Sequence, residues 1–208
     1  MTNETDVQAA LRRVATALTA AHDHLTDLDQ ALGDGDLGVT TSKVAEALTQ
    51  HADESAQGDL GTYLASGGVA VNRVASSTMG TLLATALMRA GKEVKGKAEL
   101  APADLVAMLH AAERGMQERG KAKLGDKTIL DALHPAAEAF AAAVASGEAL
   151  GAAGEHMLQA AQKGLEAVTP TRSRIGRAGW VGERTEGKVD PGCAALVVII
   201  EGLLGRQA

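Results

Sequence analysis

Three aspartates in a glycine-punctuated segment could together hold a cation. Asp29, Asp34 and Asp36 follow one another with gaps of five and two residues. Carboxylates are hard oxygen ligands, and Mg²⁺ takes them together with phosphate oxygens and water. An ordinary Asp/Gly turn is the alternative interpretation. An EF-hand is excluded, because glycine occupies the fifth loop position and Ala45 stands where the bidentate Glu should be.

An anion site is predicted directly beside these carboxylates. Gly38, Val39 and Thr40 open a predicted helix, so their main-chain N–H groups lack partners within it. Such groups, at the positive end of the helix dipole, suit a phosphate. The sequence therefore predicts adjacent metal and phosphate sites.

Three further segments rich in small or basic residues also lie at predicted helix starts. They are residues 75–80, 120–131 and 176–192. The first two have plain structural interpretations, as a helix N-cap and as a capped basic loop. The third alternates glycine with Arg177 and Arg184, which suits guanidinium binding of phosphate, although a solvated charged face is the alternative.

About eight helices must position these segments within one all-α domain, residues 1–208. Apolar residues recur at helical spacing over most of the chain. Pro135 either kinks the sixth helix or marks its start. Residues 169–190 show no helical period, and loops this long in a compact domain are usually functional. The predicted helices cover residues 6–32, 39–48, 59–69, 76–90, 102–119, 127–145, 148–168 and 191–204.

Composition narrows the function further. The chain has 208 residues, 46% of them apolar and 1% aromatic, with a formal net charge of -6, which favours a soluble helical domain over a β-sandwich. The acidic balance disfavours nucleic-acid binding. Lone Cys193 excludes internal disulfides and multi-cysteine zinc sites, and the longest apolar run, residues 193–200, is too short to span a membrane. With no signal peptide expected, we predict a cytoplasmic protein.

Several motifs together resemble the ADP-binding L subunit of bacterial dihydroxyacetone kinases. The motifs are Asp-x4-Asp-Gly-Asp-x-Gly from Asp29, Gly-Asp-Lys-Thr-x-Leu-Asp-Ala-Leu at 125–133, and Gly-Arg-Ala-x3-Gly-Glu-Arg followed by Asp-Pro-Gly within 176–192. The match runs nearly end to end. Leu37 stands where the family usually has His, the turn at 76–80 is about one residue shorter, and Ile129 replaces a frequent Met.

The resemblance implies a closed antiparallel barrel of eight helices with the nucleotide, ADP or ATP, at one end. It implies two Mg²⁺ ions on Asp29, Asp34 and Asp36, and stabilisation of charge near the transferred group by Arg177. The nucleotide and phosphate contacts that it implies are Leu37, Gly38, Val39, Thr40, Ser76, Ser77, Gly120, Ile129, Arg177, Asp190, Pro191 and Gly192.

The implied reaction is phosphoryl transfer, governed by positioning and electrostatics. In this family the hydroxy ketone acceptor is held covalently by a histidine on a partner K subunit. The donor is either free ATP or a phosphohistidine carrier subunit of the phosphotransferase system. We also expect a homodimer, and neither a nucleic-acid nor a membrane partner.

Two alternatives remain open from the sequence. One is the nucleotide-binding domain of a fatty-acid kinase system, which shares the metal motif and would have a lipid-binding partner. The other is a noncatalytic regulator, in which the ADP-loaded domain binds a transcription factor. The intact aspartate triad favours catalysis.

Overall fold

The structure, a computed structural model, describes residues 1–206 and contains only helices and loops over that range, apart from one isolated bridge between Thr2 and Leu100. The ten α-helices of these residues are α1 (Glu4–Ala20), α2 (His22–Gln30), α3 (Leu37–His51), α4 (Leu60–Val74), α5 (Thr78–Glu93), α6 (Pro102–Gly120), α7 (Ile129–Ala145), α8 (Leu150–Val168), α9 (Gly176–Val181) and α10 (Pro191–Leu203).

The long helices close into a ring. In chain order, α1 packs against α3, and each of α3 to α7 packs against the next; α8 then packs against α10, and α10 returns to α1. The N-termini of α3, α5, α7 and α10 surround one cleft together with the C-termini of α2 and α6. Neighbouring helices therefore run in opposite directions. The expected all-α fold is confirmed.

Two apolar clusters fill the ring. The first lies among α1 to α5 and includes the fully buried Leu18 and Leu25. The second lies among α6, α7 and α8 and includes Leu158. Helix α10 belongs to both, because Val198 joins the first cluster and Ile200 the second. Each buried leucine stabilises the fold by roughly 1.5–3 kcal/mol.

The first predicted helix, residues 6–32, is two helices in the structure. Ala21 has φ −85° and ψ 4°, so the helix is interrupted at this one residue between α1 and α2. Leu18 and Leu25 on either side of the break are both fully buried. The apolar periodicity continues across the interruption, which is why the sequence predicts one helix.

Two other expectations about helices are corrected or decided. Pro135 lies inside α7, which begins at Ile129, so it does not mark the start of that helix. Residues 169–190 were expected to lack helical structure, but Gly176–Val181 form α9 and Gly182–Thr185 form a 3-10 turn. Elements of six and four residues are too short to show an apolar period.

Helices α4 and α5 approach each other closely where glycines face one another. A Cβ at Gly61 would lie 2.6 Å from the carbonyl oxygen of Gly91, and one at Gly91 would lie 2.5 Å from that of Gly61. Only glycine permits this approach.

Among residues 1–206, none of the helices combines the length and hydropathy that crossing a bilayer requires.

Candidate functional site

Asp29, Asp34 and Asp36, here called the acidic cluster, are brought together by the turn between α2 and α3. One carboxylate oxygen of each residue lies within 4.8 Å of the others. The side chains of Asp34 and Asp36 are about half exposed. Carboxylates this close repel one another when ionised, and a hard divalent cation would relieve the repulsion. The donor set therefore fits Mg²⁺.

Main-chain hydrogen bonds fix the shape of that turn. The carbonyl of Asp29 accepts the N–H of Leu32 at 3.1 Å and of Gly33 at 2.5 Å, while its Oδ2 accepts the N–H of Leu37 at 3.2 Å. A Cβ at Gly33 would lie 2.6 Å from Asp29 Oδ1. Glycine thus lets the chain pass beside the carboxylate. Asp29, although at the unfavourable end of α2, is held by the N-terminus of α3.

Burial raises the pKa of Asp36, and the nearby Asp29 carboxylate raises it further against the opposing effect of Lys43. The guanidinium of Arg177 on α9 forms an ion pair with Asp34 and lies 3.6 Å from Asp36. Arg177 thus provides positive charge at the acidic cluster from a loop about 140 residues away along the chain. It is 63% exposed at its side chain, so it can exchange partners.

The cleft beside the acidic cluster is bounded by four helix N-termini. Leu37 opens α3, Ser77 caps α5, Thr128 caps α7, and Pro191 opens α10. The dipoles of these helices place positive electrostatic potential at their N-termini, and this potential suits phosphate oxygens. Apolar side chains form the other wall of the cleft; they are Leu32, Met79, Leu82, Met116, Ile129, Leu130 and Ile175.

Most of the residues that the sequence analysis singled out line this cleft. They are Asp29, Asp34, Asp36, Leu37, Ser77, Gly120, Ile129, Arg177, Asp190, Pro191 and Gly192. The structure places four others outside its lining. Val39 and Ser76 point to solvent, and Gly38 and Thr40 are buried.

Gly38 and Thr40 have packing partners that explain their burial. A Cβ at Gly38 would lie 2.1 Å from Thr26 Oγ1 and 2.4 Å from the carbonyl oxygen of His22, so glycine allows α3 to cross α2. The hydroxyl of Thr40 donates to Ser77 Oγ at 2.9 Å, and Ser77 Oγ in turn accepts the N–H of Gly80 at 3.2 Å. This chain of bonds fixes the start of α3 against the start of α5.

Asp190 is a buried carboxylate at the base of the cleft. It caps α10 by accepting the N–H of Cys193 at 2.8 Å. Burial raises the pKa of Asp190 to about 6, although that hydrogen bond and the ammonium of Lys127 act in the opposite direction. A Cβ at neighbouring Gly192 would lie 3.0 Å from Met79 Cε and 3.3 Å from the N of Ile129. Three helix starts therefore meet at this point.

Sequence reasoning missed Lys127. Its side chain is among the largest fully buried ones, with the residue 2% exposed, and it lines the cleft. In the sequence it is one of three lysines in the basic segment before α7, alongside Lys121 and Lys123, which are exposed. Its φ of 62° is unusual for a non-glycine residue, although Lys121 shares this feature, and it is visible only in the structure.

The chain is similar to known proteins over most of its length. The DAK2 domain profile matches residues 31–205. The ADP-binding subunit DhaL of PEP-dependent dihydroxyacetone kinase 2 of Listeria innocua is 30% identical over 199 residues, which are 93% of this chain and 92% of the relative. The ADP-binding subunit DhaL of Escherichia coli is 28% identical over 205 residues, covering 97% of this chain and 96% of the relative.

A solved structure has the same fold. The crystal structure of the native form of the dihydroxyacetone kinase of C. freundii matches 95% of this chain with a TM-score of 0.75 and 25% sequence identity. The matched part is 34% of the kinase chain, so this chain spans about a third of that enzyme.

Proposed function

The chain belongs to the DAK2 domain family, and we propose that it is the nucleotide-binding subunit of a kinase that phosphorylates dihydroxyacetone or a related hydroxy ketone. One observation carries the proposal: the acidic cluster, four helix N-termini and Arg177 converge on a single cleft. Phosphoryl transfer requires this combination, because it depends on positioning and on electrostatic stabilisation of phosphate charge.

The acidic cluster is the proposed site of two Mg²⁺ ions. Three carboxylates with ligand atoms within 4.8 Å of one another support a divalent site, and the number of ions is part of the proposal. Bound there, Mg²⁺ neutralises the charge of the ADP or ATP phosphates and orients them. Asp29 is held for this role by the N–H of Leu37, so its carboxylate is oriented in advance.

The remaining groups of the cleft bind and orient the nucleotide. The helix N-termini at the starts of α3 and α5 would attract phosphate oxygens through their dipoles, and Ile129 with its apolar neighbours would cover the base. Arg177 pairs with Asp34 and lies near Asp36. Cations bound to the carboxylates of Asp34 and Asp36 would compete with Arg177 for these groups. The Arg177 guanidinium would then be available to the transferred phosphoryl group.

The acceptor is held on a separate K subunit that covers the cleft. The relatives are named ADP-binding subunits of PEP-dependent kinases, which implies further subunits in those systems. Three large apolar residues that lie within three positions of a lining residue in the sequence are exposed to solvent. Their exposed fractions are 94% for Trp180, 50% for Leu124 and 49% for Val39. Large exposed apolar side chains that lie close to the cleft lining in sequence support a protein interface at this face.

The phosphoryl donor is a phosphohistidine carrier subunit of the phosphotransferase system that acts on bound ADP, as the relatives' PEP dependence suggests. Free ATP is the alternative donor. Native mass spectrometry of the purified chain separates the two. A mass increase of one ADP and two Mg²⁺ that is lost on chelation supports the first donor, while an empty protein that gains MgATP on titration supports the second.

The decisive test is reconstitution of activity with a K subunit, dihydroxyacetone and either donor. Asp36→Ala abolishes phosphotransfer, because the acidic cluster loses a ligand. Asp27→Ala is the matched control, since Asp27 is an exposed aspartate on α2 that does not line the cleft. Unchanged turnover of Asp36→Ala would refute the assignment of Asp36 as a metal ligand. Loss of turnover in both Asp36→Ala and Asp27→Ala would show a general effect of removing negative charge.

The same reconstitution distinguishes the two alternatives left open by the sequence. A partner that binds lipid instead of a triose would indicate a fatty-acid kinase system, and ADP loading without any turnover would indicate a noncatalytic regulator. The homodimer and the cytoplasmic location stay predictions. The native mass spectrum reports the first, and fractionation of cells reports the second.

A further inference from the structure

The ammonium of Lys127 is buried and fully hydrogen-bonded. Its Nζ donates to the main-chain carbonyls of Thr169 at 2.8 Å, Thr171 at 2.9 Å and Thr185 at 2.6 Å. A lysine ammonium has three N–H donors, so all three are used. These partners are neutral carbonyls. Burial lowers the pKa of Lys127, whereas the charges of Asp190, Cys193 and Glu186 raise it.

The three carbonyls belong to both ends of one loop, residues 169–187. Gly187 N–H donates to the carbonyl of Thr169 at 3.0 Å, and Ser173 N–H donates to Thr185 Oγ1 at 2.9 Å, so the loop closes on itself. Arg174 N–H donates to the carbonyl of Asp126 at 3.0 Å, which joins the loop to the segment before α7. Lys127 lies where these connections meet.

The middle of this loop carries Arg177. Helix α9 presents its guanidinium to Asp34 and Asp36 across the cleft. Glycines with positive φ flank α9, Gly176 at 66° and Gly182 at 63°, and neither brings a side chain to pack there. Ile175 packs against the second apolar cluster, and the loop ends supply the rest of the anchoring.

We propose that Lys127 is a positioning residue for Arg177: its ammonium ties the two ends of loop 169–187 to each other and to the start of α7, and so holds the guanidinium over the acidic cluster. The proposal rests on the proposed function as far as catalysis is concerned. Direct contact of this ammonium with a phosphate is disfavoured, because its three hydrogens are already donated to carbonyls.

The required conformation of Lys127 fits this role. Its φ of 62° is in the left-handed region, which is uncommon for non-glycine residues. The next residue, Thr128, caps α7 and lines the cleft. One short segment thus anchors the Arg177 loop and supplies a helix N-terminus to the nucleotide, so the two parts of the site keep a fixed relation.

The first test needs no activity. Loop 169–187 contains Arg172, Arg174, Arg177 and Arg184, which are trypsin sites. Lys127→Met keeps the length of the side chain but removes the three donors, and we expect trypsin to cut the loop about tenfold faster than in the wild type. Trp180, the single tryptophan, lies in α9, and its fluorescence anisotropy falls in the variant. Lys121→Met, which alters an exposed lysine of the same segment, leaves both readings unchanged.

The second test is a double-mutant cycle on phosphotransfer in the reconstituted system. Lys127→Met and Arg177→Gln each lower kcat, by about 100-fold where positioning is lost, and the double variant is no slower than Arg177→Gln alone. Losses that multiply would overturn the proposal, because Lys127 would then act independently of Arg177.

Unchanged trypsin cleavage or unchanged anisotropy in Lys127→Met overturns the proposal by itself. If the wild type shows no phosphotransfer at all, the proposed function fails, while cleavage and anisotropy still decide whether Lys127 holds the loop. Should Lys127→Met fail to fold, Lys127→Gln takes its place. A Gln amide has only two N–H donors on a shorter side chain, so it cannot donate to all three carbonyls, and it must also accelerate cleavage.

Discussion

Replacing Asp190 by Asn tests the electrostatics at the base of the cleft. Burial raises the pKa of Asp190 to about 6, from an ordinary value of 3.8. Between these two pH values the folded chain keeps a proton on Asp190 that the unfolded chain has lost. The free energy of unfolding therefore falls as the pH rises, and the stability that the protonated form provides is lost as the pH passes through the folded pKa.

The size of the effect follows from the two pKa values. Their difference corresponds to about 3 kcal/mol, because one pKa unit is about 1.4 kcal/mol. Asn is as good an N-cap as Asp and does not ionise, so Asp190→Asn keeps the bond to Cys193 N–H without the cost of burying a charge. We expect the variant to gain about 2–3 kcal/mol on the wild type between about pH 4 and pH 7.

Urea unfolding of both proteins across this pH range measures the difference. Asp59→Asn is the matched control, because Asp59 is also an N-cap but is exposed, and its bonds from Thr62 and Gly96 hold its pKa at about 2. Its stabilising contribution is present above the unfolded pKa and is lost only as the pH falls toward 2, so this control stays flat above about pH 5. A constant difference for Asp190→Asn over the same range would refute the reasoning.

Two further predictions concern the packing and the metal at the site. Gly38→Ala destabilises the fold by about 1–3 kcal/mol in urea unfolding, because the added Cβ meets Thr26 Oγ1. Gly151→Ala is the control and gains about 0.5 kcal/mol, because open space surrounds that position. Equal effects of the two substitutions would contradict the packing argument. Differential scanning fluorimetry measures the rise in Tm that Mg²⁺ with ADP produces, and we expect Asp29→Asn to lose this rise. Asp27→Asn, at an exposed aspartate, keeps it. An equal rise in both variants would show that Asp29 is not a ligand of the metal.

Local signals in the sequence placed every predicted helix start to within two residues, whereas α3, α4 and α5 extend three to five residues beyond their predicted ends. Pro102 begins α6, where the carboxylate of Asp104 accepts the N–H of Ala101 at 2.9 Å, and the helix ends at Gly120. The acidic cluster was also predictable, since Asp29, Asp34 and Asp36 are adjacent in sequence and need only one turn to meet. Features that depend only on residues close together in the sequence can therefore be predicted from it.

Features that depend on distant segments could not be predicted. The phosphate contact of Thr40 stays a prediction, but no pattern in the sequence shows that the Thr40 hydroxyl donates to Ser77, which comes 37 residues later. The basic segment before α7 has a plain interpretation as a capped loop, yet the ammonium of Lys127 donates to the carbonyls of Thr169, Thr171 and Thr185. Every residue has a main-chain carbonyl, so no pattern of side chains predicts that three of these carbonyls will converge on one ammonium.

The two sides of the cleft belong to different apolar clusters, and α10 connects them. The acidic cluster stands on α2 and α3, which pack with the first cluster, while Lys127 adjoins α7, which packs in the second. Helix α10 packs against α1, α2, α7 and α8, and Asp190 caps its first turn. A charge on Asp190 is therefore placed where it weakens the junction between the two halves of the site.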